Sequence, residues 1–134
     1  MNFQLLQALI GQLDRPEIIR LNYSGESTHY PHLEEAVQLA KSTGAITELV
    51  SAFASISQST LLSLVDSGLD RLSLSVHTLD ANQYQEIYRY GSLESLKSRV
   101  QELRHLQQRG RTIDGLASFG MKSWCDFGCL SNHP

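Results

Sequence analysis

The chain has 134 residues, 41% of them hydrophobic and 19% charged, with 11 lysines and arginines against 14 aspartates and glutamates. That length suits one domain with a real apolar core, and a formal charge of −3 provides no basic footprint for nucleic acid. Apolar runs fall short of the roughly 20 residues that span a bilayer, and the opening "MNFQLLQALIGQLDRP" lacks the basic region and cleavage site of a secretory leader. A cytoplasmic protein without membrane contact is therefore expected.

In chain order, Phe3, Leu6, Leu9, Ile10 and Leu13 recur at helical spacing and predict a helix over about 2–14, stopped by Pro16. "EIIRLNYS" is short, apolar and β-branched, and predicts a strand ending near Ser24, ahead of Gly25. Leu33, Ala36, Val37 and Ala40 mark a helix closed by Gly44, and "AITELVS" is a second strand. Leu61, Leu62, Leu64 and Val65 make a helix ended by Gly68. In "RLSLSVHT", Leu72, Leu74 and Val76 alternate with Ser73, Ser75 and His77, predicting a third strand with one oily and one polar face. A short helix around 81–88 precedes a long one capped by Ser92, with Leu93, Leu96, Val100, Leu103 and Leu106 on one stripe and Gly110 at its end. "RTIDGLASF" is a weaker strand, and 120–134 shows no period.

Helices alternating with strands predict parallel βαβ units, hence an α/β fold in a single domain over 1–134. An open doubly wound sheet and a (β/α) barrel share that alternation. The polar face of "RLSLSVHT" favours the barrel, whose interior can hold water or a ligand.

Few residues announce chemistry by themselves. Glu26, just past a strand and ahead of a helix, suits either a ligand or the dipole of the helix that follows. His29 and His32 in "HYPH" have metal-like spacing but no third ligand nearby, and Tyr84, Tyr88 and Tyr90 with Arg89 fit packing better than base stacking. Cys125, Cys129 and His133 stand at four-residue intervals, which suits two reduced thiols or an incomplete metal site. Walker, Rossmann and nucleophile-elbow signatures do not occur.

The order of these segments resembles the radical S-adenosylmethionine superfamily. In that family a strand ends in Gly-Gly-Glu-Pro and a helix follows; here "SGESTHYPHLEEAVQLAKSTG" stands in that place, with Ser24-Gly25-Glu26-Ser27 as the motif. Ser51-Ala52-Phe53 loosely matches a Thr-Asn-Gly turn. "SGLDRLSLSVHTLD" follows the family's Gly-hydrophobic-Asp turn and its Ser-hydrophobic-Ser strand, and "YQEIYRYGS" then leads into an amphipathic helix. The family-like portion covers about 17–119, with 120–134 as an irregular tail.

The resemblance implies a partial (β/α) barrel of parallel strands with outer helices, with about four of the usual six strands. It implies binding of S-adenosylmethionine beside a [4Fe-4S] cluster, and radical chemistry on a substrate that the residues do not identify. Ser24, Gly25, Glu26 and Ser27 would hold the methionine amino group, and Ser75, with Ser73 or His77, would lie near the ribose. Ile113, with Gly115, would match the adenine pattern. The family's cluster cysteines, Cys-x-x-x-Cys-x-x-Cys, precede a helix like Phe3 to Leu13, whereas here no cysteine precedes Cys125. Cys125 and Cys129 are the remaining candidate metal ligands. The alternative is a non-catalytic α/β domain that self-associates or takes a completing partner through unpaired strand edges.

Overall fold

The computed structural model describes residues 2–22, 26–53, 56–89, 91–108 and 116–119. Among the described residues five α-helices and four strands follow one another, alternating except that α4 leads directly into α5: α1 (Phe3–Ile10), β1 (Ile18–Leu21), α2 (Leu33–Ser42), β2 (Ile46–Ser51), α3 (Gln58–Asp66), β3 (Arg71–Ser75), α4 (Ala81–Ile87), α5 (Leu93–Gln108) and β4 (Leu116–Phe119). The strands form one parallel sheet in the order β1-β2-β3-β4.

Caps explain most of the boundaries. Ser57 begins α3 by accepting the Thr60 N–H, and Asp80 begins α4 by accepting those of Asn82 and Gln83. Gly44 and Gly68 follow α2 and α3 at φ +82 and +87, the left-handed conformation that ends a helix and that a side chain resists. The first helix is shorter than its apolar spacing predicts. It stops at Ile10, and Arg15, directly before Pro16, sits at φ +48. Leu13 is 50% exposed, so it adds nothing to the buried stripe that would continue the helix.

Sequential strand order has a consequence for the layers. Parallel crossovers share one hand, so each connection in a sequential sheet passes over the same face. Ile19, Leu49, Leu72 and Leu74 point to that face, in the core with Val37, Leu61, Leu64, Leu96, Val100 and Leu103. Leu6 and Ile10 of α1 pack on Ile19, Ala36 and Ala40. The strand register places Arg20, Glu48, Arg71, Ser73 and Ser75 on the opposite face with Ile18, Ile46 and Val50, and none of these eight residues joins the apolar clusters that hold the helices. The sheet is thus covered by helices on one side, and on the other it carries charged and hydroxyl groups interspersed with Ile18, Ile46 and Val50.

The turn before β3 fixes β2 and β3 relative to each other. The Asp70 carboxylate accepts from the Thr47 N–H at 2.8 Å and the Thr47 hydroxyl at 2.9 Å, and it pairs with Lys41. Burial works to raise the Asp70 pKa, but the hydrogen bonds from Lys41 and Thr47 and the Lys41 charge outweigh it and hold the carboxyl below its ordinary value. The start of β2 is locked in this way to the turn that begins β3.

Candidate functional site

Glu26 lies beyond the carboxyl end of β1 and caps a single 3₁₀ turn over Ser27–His29. Its Oε1 accepts from the Thr28 N–H at 3.2 Å, the Thr28 hydroxyl at 2.9 Å and the Ser51 hydroxyl at 2.6 Å. Its Oε2 accepts from the Ala52 N–H at 2.9 Å. Glu26 therefore ties the loop after β1 to the loop after β2. All four donors are neutral, and among the described residues no lysine or arginine pairs with this carboxylate. A carboxylate offers about four lone-pair sites over its two oxygens, so Oε2, with one donor, keeps acceptor capacity.

The residue after this anchor is conformationally unusual. Phe53 sits at φ +61 and is 1% exposed, and its N–H donates to the Ser51 hydroxyl at 2.9 Å. A bulky side chain in the left-handed region costs energy, and such residues concentrate at sites where the surrounding structure holds a functional shape.

The end of β3 completes this side of the sheet. The Tyr88 hydroxyl donates to the Ser75 carbonyl at 2.9 Å, and the His77 ring stacks on Tyr88 with centroids 5.9 Å apart. Tyr84 packs beneath Tyr88 at 4.5 Å and is fully buried, its hydroxyl without a hydrogen-bond partner among the described residues. Burial, with the charges of Tyr88 and Glu26, pushes the Tyr84 pKa up to about 12. Burial also raises that of Tyr88; a backbone hydrogen bond at His77 opposes the rise and the Glu26 charge adds to it. The Glu26 charge is thus felt by both phenols, which stay protonated at neutral pH.

A second carboxylate lies on the polar face of the sheet. Glu48, its side chain 8% exposed, accepts from Arg20 Nη2 at 3.0 Å and from the Ser73 hydroxyl at 3.1 Å. Ser73 is accordingly buried and committed to Glu48, although it belongs to the polar half of the β3 alternation. Neither Arg20 nor Glu48 stands out as a candidate in the sequence. The available signal was a lone acid inside the apolar run "AITELVS".

Of the residues that the sequence singles out, the structure brings Glu26 together with Ser51 and Ala52, and Ser75 and His77 together with Tyr88. Ser27 is buried in the 3₁₀ turn. Ser24, Gly25, Ile113, Cys125 and Cys129 lie outside the described residues, as does Tyr90. His32 pairs with Glu35 at 3.3 Å and packs against Phe3. Among the described residues no group of three His, Cys, Asp or Glu side chains is placed to hold a metal ion. No helix among them is long and apolar enough to cross a membrane.

A scan against protein-family models finds no match, and no curated protein matches the chain.

Proposed function

We propose that this chain is a section of a radical S-adenosylmethionine-type (β/α) barrel, and that the carboxyl ends of β1, β2 and β3 form its S-adenosylmethionine-binding edge. The observation that carries this reading is the Glu26 carboxylate: anchored by two loops, without a cationic partner among the described residues, and with acceptor capacity left on Oε2. A ligand ammonium supplies the missing positive charge and donates to such an oxygen through a charge-assisted hydrogen bond.

Two further observations support it. A singly wound parallel sheet with helices on one face is the arrangement from which a (β/α) barrel is built, its polar face becoming the interior. Phe53 stands where the resemblance has a glycine, and it adopts the positive φ that a glycine takes without cost.

In this reading Glu26 orients the loop after β1 and receives the ammonium, while Ser75 and His77 at the end of β3 face the ribose. When bound, S-adenosylmethionine would bring the sulfonium carbon chemistry that the family uses. The cluster is a different matter. Iron–sulfur clusters rest on thiolates, and the described residues contribute no cysteine and no three-ligand group. The donor set of the described residues does not fit a cluster, so the function proposed for this edge of the sheet is binding of S-adenosylmethionine.

Anaerobic titration calorimetry tests the proposal. S-adenosylmethionine should bind the full chain with one site, and Glu26→Gln, which keeps an acceptor but loses the charge, should weaken it about tenfold. Absence of binding, or equal affinity in Glu26→Gln, would overturn it.

A specific observation also favours an interaction module. Among the described residues β1 pairs only with β2, so its outer edge carries unpaired backbone groups; Ile18 of β1 is 48% exposed, and Leu5 and Leu9 of α1 are 53% and 47% exposed. Concentration-dependent sedimentation separates this reading, which requires association, from binding by a monomer.

A further inference from the structure

At one end of the helix layer lies an apolar surface that no described element covers. Leu6 and Ile10 of α1 pack with Ala36 and Ala40 of α2, and α2 in turn packs on α3, so α1 is the outermost described helix at the β1 end of the sheet. Leu5 and Leu9 stand one turn apart on α1, about 100° round the helix from the buried Leu6 and Ile10, and both are exposed. Leu13, just past α1, is exposed too, and residues 1–13 contain no charged side chain. The free edge of the sheet belongs to the same end. The Glu17 carbonyl accepts from the Ile46 N–H and so faces β2; by strand alternation the N–H and C=O of Ile18 point to the outer edge, where no described strand pairs with them.

Together these two features specify a partner. A helix that lies on a membrane carries lysine or arginine beside its apolar stripe, and α1 has neither. A second copy of the chain has no such requirement, because an uncharged stripe can lie against itself without opposing like charges. A two-fold axis normal to the sheet pairs β1 with the β1 of the copy antiparallel and keeps both helix layers on one side, so the two α1 helices meet. A two-fold axis along the strands puts the layers on opposite faces and leaves both leucine stripes in water. We infer that two copies associate through α1 and the outer edge of β1 about a two-fold axis normal to the sheet. One operation then covers the leucines and pairs the strand edge. The proposed interface rests on the reading of β1 as an interaction edge and makes the partner a second copy; it uses neither Glu26 nor the ends of β2 and β3.

Sedimentation velocity of the full chain across a concentration series, with amide hydrogen exchange, tests the interface. The contact is small, so a reversible dimer with a Kd on the order of 10 µM is expected. Leu5→Gln combined with Leu9→Gln removes the stripe without adding charge and should weaken the dimer about thirtyfold, since the two-fold axis counts each change twice. Ile18→Lys places a charge on the edge and should weaken it about tenfold. The Ile18 amide should exchange more slowly as concentration passes the Kd, because antiparallel pairing gives it an acceptor; this measurement needs no variant and decides if either one fails to fold. A monomer at every concentration would overturn the dimer and the interaction module together. A dimer that keeps its Kd in Leu5→Gln/Leu9→Gln, or whose Ile18 amide exchanges as in the monomer, would overturn this interface alone.

Discussion

Glu26 and Glu48 are both carboxylates held by strand β2 and its loop, yet they are held in opposite ways. Glu48 has its positive charge within the protein, from Arg20, and spends its other oxygen on Ser73. Glu26 has hydrogen bonds in plenty and, among the described residues, no cation. Neutral donors stabilise an anion but leave its net charge in place. The difference separates a carboxylate that completes the sheet from one whose charge is left for a ligand.

The comparison can be broken at its strongest point first. Glu26→Ala leaves the Thr28 and Ala52 N–H groups without their acceptor and unties the two loops. We expect a loss of about 2–3 kcal/mol in urea unfolding, because orphaned donors in a part-buried setting cost their desolvation. A loss near zero would mean that water replaces Glu26 and that the anchor is not structural.

Next in size is Arg20→Ala, which leaves Glu48 with a buried charge. Removing one partner of a buried pair is expensive, but Arg20 is 48% exposed, so we expect about 1 kcal/mol. Arg20→Met combined with Glu48→Met should recover most of that in a double-mutant cycle. Failure to recover would show that Ser73 and its neighbours need the acid itself.

The smallest effect belongs to a third carboxylate, Asp70, which has its cation in Lys41. Its folded pKa lies below the ordinary 3.8, so the folded state binds fewer protons at that site than the unfolded chain does. Its contribution is therefore fully present above the ordinary value and is lost as pH falls through the depressed one. The stability gap between the parent chain and Asp70→Asn should be constant near neutrality and close in acid, as read by urea unfolding at several pH values. A gap that persists unchanged at the lowest pH would contradict the assigned ionisation.

Much of the architecture was legible because it rests on local signals. Gly44 and Gly68 announced the ends of α2 and α3, and the stripe from Leu93 to Leu106 announced α5. Local signals also misled: Leu13 has the right spacing for α1 but is not buried, and β3 stops at Ser75, short of the Thr78 that its alternation suggests. Strand order was not legible, since alternating helices and strands serve a sequential sheet and a doubly wound one equally. Glu26 could be singled out from its position after a strand. Its partners Ser51 and Ala52 lie about 25 residues away and come near only through the β1–β2 pairing. The pairing of Glu48 with Arg20 opposite it and with Ser73, two positions on from its β3 partner Arg71, likewise depends on a register that no single segment encodes.

The most direct test of the central claim, that Glu26 is left charged for a ligand ammonium, is to follow the Ala52 and Phe53 amides by NMR while S-adenosylmethionine is added. Saturable shifts there and at Ser75 to His77, absent from Leu6 and Ala36 and lost in Glu26→Gln, are the predicted result. Unchanged Ala52 and Phe53 signals at saturating S-adenosylmethionine would contradict it.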